Sequence, residues 1–238
     1  MGPLKLDAAG VFAEAQKFQK KLTAGMKVLG TLDDVQFGVT PKEEVYREDK
    51  LVVYRFRGDR KPTAKTPTLI VYALVNRPYM VDLQEDKSLV RNLLAQGEDI
   101  YLIDWGYPDR ADRWLTLDDY INGYIRRSVD AVARHAGVKK INVLGICQGG
   151  AFSLCFSAIH PQKVKNLITM VTPVDFHTPD NMLSNWTRNM DADLFVDTIG
   201  NVPADLMNWC YLTLKPMRLL QQKYVGMVDI LDDKVELE

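Results

Sequence analysis

A cysteine stands where the chain turns abruptly from an apolar run into a helical pattern: Ile141-Asn-Val-Leu-Gly145-Ile-Cys147-Gln-Gly149-Gly-Ala151. The spacing Gly145-x-Cys147-x-Gly149 is that of a nucleophile elbow with cysteine in the place usually held by serine. A side chain at the tip of a sharp strand-to-helix turn has a strained backbone. Larger residues two positions to either side would clash, so small residues are needed there. The sulfur faces the positive end of the helix that follows, which favours thiolate over thiol and makes it nucleophilic near neutral pH. That chemistry is acyl transfer. Cysteine is also commonly a small buried hydrophobe, and strands followed by glycine occur in parallel sheets with no catalytic role.

The elements around Cys147 decide between these readings. Short apolar, β-rich runs at 51–57, 68–75, 99–105, 140–147 and 166–171 alternate with helical patterns at 88–96, 117–136 and 150–160. Strands that are apolar throughout and alternate with helices predict a mostly parallel α/β sheet covered on both faces, with reactive groups at the carboxyl ends of the strands. Cys147, Asn76-Arg77-Pro78 and Asp104-Trp105-Gly106 all fall at such ends. Before the sheet, residues 7–29 carry Val11, Phe12, Ala15, Phe18, Leu22 and Met26 at helical spacing. After Asp175 the β-runs give way to helical patterns rich in Trp, Met, Leu and Tyr. The expected organisation is an N-terminal helical segment over 1–45, an α/β core over 46–176 and a helical cap or lid over 177–238.

Composition narrows the function classes. The chain has 238 residues, 47% of them hydrophobic, enough to bury one large α/β domain. Its 30 basic and 31 acidic residues nearly cancel, and basic runs interleaved with aromatics are missing, so neither nucleic acid nor an anionic membrane is implied as a partner. No stretch reaches transmembrane length, and the first residues lack the pattern of a signal peptide. The 3 cysteines, Cys147, Cys155 and Cys210, lack metal-type spacing and fit a reducing compartment, with cytoplasm expected. A metal is not expected.

A catalytic cysteine needs a base, normally oriented by a carboxylate. His135 and His160 each end a helix, where a histidine complements the helix dipole. His177 lies just past a strand with Asp175 as a neighbouring acid. The alternative is that the acid and the histidine lie outside this chain. Asp104 and Trp105 are read as shaping the site, the first as the cap of a turn and the second by packing.

Taken together, Tyr72-Ala-Leu-Val-Asn76-Arg-Pro78-Tyr, Asp82-Leu-Gln, Tyr101-Leu-Ile-Asp104-Trp-Gly-Tyr-Pro108, Gly145-Ile-Cys147-Gln-Gly-Gly150 and Val171-Thr-Pro173-Val-Asp175-Phe resemble polyhydroxyalkanoate synthases. Within that family the chain is similar to the short catalytic subunit of the two-component class. The resemblance runs from about residue 40 to the end. It implies an α/β-hydrolase fold in which Cys147 attacks a 3-hydroxyacyl-CoA thioester, releases CoA and passes the acyl group to the hydroxyl end of a growing polyester. It also implies an oxyanion hole from the backbone amide of Gln148 and an amide at Val75 or Asn76. CoA enters as part of the substrate, with no separate cofactor. A second synthase subunit and a homo-oligomer are the implied partners, and polymer granules a further location. Family members carry the triad aspartate and histidine after two further strands beyond the cap. This chain stops inside or just after the cap and is expected to be truncated before both, leaving the strand near 167–171 without outer neighbours. Two other functions follow from the same residues: a cysteine-dependent esterase or thioesterase of the same fold, and a non-catalytic chain that binds the partner subunit.

Overall fold

A computed structural model describes residues 37–179 and 181–214, together with Gln16, Gln19, Lys20 and Thr23. The amphipathic helix expected over 7–29 lies outside the described residues apart from those four positions, which are helical. The described residues fall in two units. Gln36–Asn201 carries the sheet and the candidate site, and Val202–Glu238 contributes one described helix.

Six strands form one sheet: β1 (Lys42–Glu48), β2 (Leu51–Phe56), β3 (Thr68–Val71), β4 (Ile100–Asp104), β5 (Ile141–Ile146) and β6 (Val164–Met170). Their order is β1-β2-β4-β3-β5-β6. β1, β2 and β4 pair antiparallel, and β4, β3, β5 and β6 run parallel. The predicted mostly parallel α/β sheet is borne out. Strand β1, which the hydropathy pattern did not single out, is charged along its length because it lies at the sheet edge. Glu43 pairs with Arg55 and Arg57, and Glu48 with Arg127.

Helices cover both faces, as continuous apolar strands require. On one face α2 (Arg126–His135) and α3 (Gln148–Ile159) bury Val129, Val132, Phe152 and Phe156 against Leu69, Val71, Tyr101 and Val143. On the other, α1 (Leu89–Ala95) sets Val90 beside Ile70, Ile100, Leu144 and Ile146. Ser88 caps α1 by accepting a hydrogen bond from the Arg91 amide at 3.0 Å. The segment expected as one helix over 117–136 contains a π-helical stretch, Asp119–Ile125, that runs on into α2. It buries Ile121 and Ile125 in the core.

Among the described residues strand β6 pairs with β5 alone, and Ile168 and Met170 on it are exposed. Beyond it lie α4 (Met182–Thr187) and α5 (Ala192–Ile199), each opened by a side-chain cap, Asn181 on Ser184 and Asp191 on Leu194. The unit that begins at Val202 holds α6 (Ala204–Leu214). The predicted helical pattern after Asp175 is seen as far as these residues go. Among the described residues no helix is long and apolar enough to cross a membrane.

Candidate active site

Because β3, β4 and β5 are parallel, their carboxyl ends share one edge of the sheet. That edge brings together Cys147, the loop of residues 72–76 and Asp104-Trp105-Gly106. Cys147 joins β5 to α3 with φ 55° and ψ −126°, a conformation that L residues rarely adopt. Its amide donates to the Met170 carbonyl at 2.9 Å, and its carbonyl accepts from the Gly150 amide at 2.9 Å. The turn is thus fixed from both sides, with the sulfur half-buried at the amino terminus of α3.

The two glycines of the elbow are required by close approach. A Cβ on Gly145 would stand 2.5 Å from the Gly150 Cα, and one on Gly149 would stand 2.1 Å from the Val71 carbonyl oxygen. These contacts let α3 lie directly on the ends of β3 and β5.

The strand expected over 68–75 ends at Val71, because the backbone beyond it finds partners outside the sheet. The Tyr72 carbonyl accepts a hydrogen bond from the Trp105 indole nitrogen at 3.0 Å. The Leu74 amide donates to the Gln148 side-chain oxygen at 3.1 Å. Among the described residues the amides of Val75 and Gln148 have no acceptor. Val75 and Asn76 are exposed, and the Asn76 side chain accepts from the Arg77 amide at 2.8 Å. The Tyr72 phenol is held above its ordinary pKa, first by burial and then by the charge of the neighbouring Cys147.

Asp104 accepts the Gly106 amide at 3.0 Å and so closes the turn after β4. Trp105 meets Tyr120 edge-on at 5.6 Å between centroids, and Tyr120 stacks on Phe152 of α3 at 6.1 Å. Trp105, Tyr120, Tyr124, Leu74 and Leu115 line a cleft of about 80 Å³ with Lys50 at its rim. Lys50 pairs with Asp109 at 2.8 Å and with Asp112, and those carboxylates hold its pKa above the ordinary lysine value.

The histidines divide by position. His135 Nδ1 shares a hydrogen bond of 2.9 Å with the Tyr101 hydroxyl near the amino end of β4, away from Cys147. His160 Nε2 bonds the Asn122 side chain at 2.8 Å at the far end of α3. His177 and Asp175 do meet, with Nδ1 and Oδ1 3.8 Å apart, on an exposed loop. Asp175 Oδ1 is also the acceptor of the His177 amide at 2.8 Å. Among the described residues no hydrogen bond or ion pair joins any histidine to Cys147, and no group of three or more His, Cys, Asp or Glu side chains is placed to hold a metal ion.

Residues 57–233 match the family described as alpha/beta hydrolase fold. The chain belongs to the alpha/beta hydrolase family. Among curated relatives, it is 59% identical to the poly(3-hydroxyalkanoate) polymerase subunit PhaC of Allochromatium vinosum, over 98% of this chain and 66% of that one. It is 58% identical to the protein of the same name from Thiocystis violacea, again over 98% of this chain and 66% of that one. A third, from Synechocystis, is 50% identical over 94% of this chain and 61% of its own. The resemblance to polyhydroxyalkanoate synthases read from the motifs is borne out by these identities. The chain spans about two thirds of the length of these relatives.

The sequence placed Cys147, Asn76, Asp104 and Trp105 at strand ends on one edge of the sheet, and the resemblance added Gln148 and Val75 as candidate oxyanion donors. They did not reveal Leu74, whose amide is taken by Gln148, or the supports Tyr120 and Phe152. These contacts span 74 positions for Leu74 and Gln148 and 33 for Tyr72 and Trp105, so no local signal announces them.

Proposed function

We propose that this chain forms the acylation site of a polyhydroxyalkanoate synthase that takes (R)-3-hydroxyacyl-CoA as substrate. The observation that carries this reading is Cys147 on a strained elbow at the carboxyl edge of the sheet, in a chain 59% identical to a polymerase subunit.

The Cys147 sulfur adds to the thioester carbonyl, forming a carbon–sulfur bond, and the carbonyl oxygen becomes an oxyanion. The amides of Gln148 and Val75 serve as its donors, with Asn76 the other candidate beside Val75. The carbon–sulfur bond to CoA then breaks, and CoA leaves as a thiol with the proton that Cys147 gave up. In the second half, a chain-end hydroxyl attacks the Cys147 thioester. An ester forms, and Cys147 regains a proton from that hydroxyl. A thiol nucleophile suits both halves, since thioester exchange is nearly balanced and the enzyme thioester stays reactive toward an alkoxide.

In this reading the chain is joined by a second synthase subunit, forms a homo-oligomer and is found in the cytoplasm at polymer granules. The name "subunit" on the relatives supports the partner. No separate cofactor enters.

The test is CoA release from (R)-3-hydroxybutyryl-CoA, followed with a thiol reagent and by intact mass, with and without the partner subunit and beside Cys147→Ser. An acyl adduct on Cys147 that the substitution removes is the expected result. Release of free 3-hydroxybutyrate without polymer would instead establish a thioesterase. No adduct under any condition would leave a non-catalytic chain that binds its partner.

A further inference from the structure

We infer that Gln148 and Trp105 are positioning residues that clamp the loop of residues 72–76 at two points and so fix the distance between the two halves of the oxyanion hole. The inference rests on the acylation role proposed for Cys147.

The loop leaves the sheet at Val71 and carries the Val75 amide, which has no acceptor among the described residues. A loop holding an unpaired donor is not rigid of itself, and a donor works only if it is already aimed where charge develops. Two bonds supply the aim. The Trp105 indole N–H holds the Tyr72 carbonyl at 3.0 Å, and the Gln148 side-chain oxygen holds the Leu74 amide at 3.1 Å. Leu74 is the residue immediately before Val75. Gln148 also provides, from its own backbone, the other amide that has no acceptor among the described residues. One residue therefore contributes a donor through its main chain and sets the place of the second donor through its side chain. With Leu74 engaged, the Val75 amide beside it is left without an acceptor among the described residues.

Trp105 is itself braced. Its ring meets Tyr120 edge-on and Tyr120 lies flat on Phe152, so the indole is referred to α3, the helix that begins with Gln148. Both ends of the clamp are thus anchored to one rigid element.

The experiment compares Gln148→Met, which keeps length and removes the acceptor, with Trp105→Phe, which keeps an aromatic ring of smaller size and removes the indole donor, and with Gln148→Glu, which keeps an acceptor. Two readouts are taken on the whole chain with its partner. The first is the rate of Cys147 acylation by (R)-3-hydroxybutyryl-CoA as a function of substrate concentration, beside alkylation of Cys147 by iodoacetamide, which develops no oxyanion. The second is hydrogen exchange at the Leu74 and Val75 amides.

The clamp predicts that Gln148→Met and Trp105→Phe slow maximal acylation about tenfold or more, since loss of a whole oxyanion donor costs about 10²–10³. Half-saturation and alkylation stay within twofold. Leu74 is protected from exchange in the native chain, exposed in Gln148→Met and protected again in Gln148→Glu. Unchanged acylation in both variants, or an equal fall in alkylation, overturns the inference. If the native chain is not acylated at all, the proposed function fails by itself, and a Leu74 amide that exchanges at the rate of an open loop then overturns the clamp separately.

Discussion

The Gly149 backbone lies so close to Val71 that a Cβ at position 149 would stand 2.1 Å from the Val71 carbonyl oxygen. The obstacle is backbone at the end of a fully buried strand, so α3 would have to lift from the sheet. Gly149→Ala should cost about 3 kcal/mol, the upper range for overpacking. Gly137, with φ +69° and open space within 4 Å of where a Cβ would stand, isolates the cost of backbone conformation. Gly137→Ala should cost about 1 kcal/mol. Urea denaturation of the two variants checks the contrast, and equal losses would refute the steric argument.

Cys147 holds φ 55° and ψ −126° because the elbow demands it. Strain of this kind is worth about 1–3 kcal/mol and is relieved by glycine. Cys147→Gly should therefore raise stability by about 1 kcal/mol after the lost packing of a half-buried side chain, while abolishing acylation. Cys147→Ser, which keeps a Cβ, should show no such gain. If both variants unfold at the same urea concentration, the elbow is not strained.

Asp82 is 1% exposed and accepts from the Thr40 amide at 3.1 Å, the Thr40 hydroxyl at 2.6 Å and the Ser88 hydroxyl at 2.6 Å. Arg91 Nε closes the network onto Thr40 at 3.1 Å. Asparagine keeps the shape but offers one acceptor oxygen and turns donors toward donors. Asp82→Asn should cost about 2–3 kcal/mol. Because Asp82 ends the connection that begins with the loop of residues 72–76, the same variant should speed exchange at Leu74. A stability loss with Leu74 exchange unchanged would separate this network from the loop.

Tyr101 is fully buried, and its phenol is pushed above the ordinary tyrosine pKa first by burial and then by the Asp99 carboxylate. The folded state therefore holds this proton more tightly than the unfolded chain does. The stability that the neutral phenol contributes is whole below the unfolded pKa of about 10 and declines as pH rises beyond it. Tyr101→Phe should lose about 1 kcal/mol at neutral pH with the His135 hydrogen bond, yet decline less steeply above pH of about 10. Urea midpoints from pH of about 8 to 11 check this, and parallel curves for the two proteins would disprove it.

The elbow, the strands at its flanks and the parallel α/β class were legible in the sequence because each is written in neighbouring residues. Gly145-x-Cys147-x-Gly149 spells a turn that only small flanking residues permit, and Ile141–Ile146 is apolar on both faces because helices cover both. Strand Lys42–Glu48 was not legible, since an edge strand carrying Glu43, Glu44, Arg47 and Glu48 has no continuous apolar signal. The site was legible only as a set of strand ends. Tertiary structure decided that His135 and His160 are committed elsewhere, to Tyr101 and Asn122, and that Leu74 rather than Val75 is the amide bound by Gln148. Residues close in sequence reveal themselves through local sterics and periodicity. Partners as far apart as Leu74 and Gln148 meet only because the parallel register of β3 and β5 carries both to one edge of the sheet.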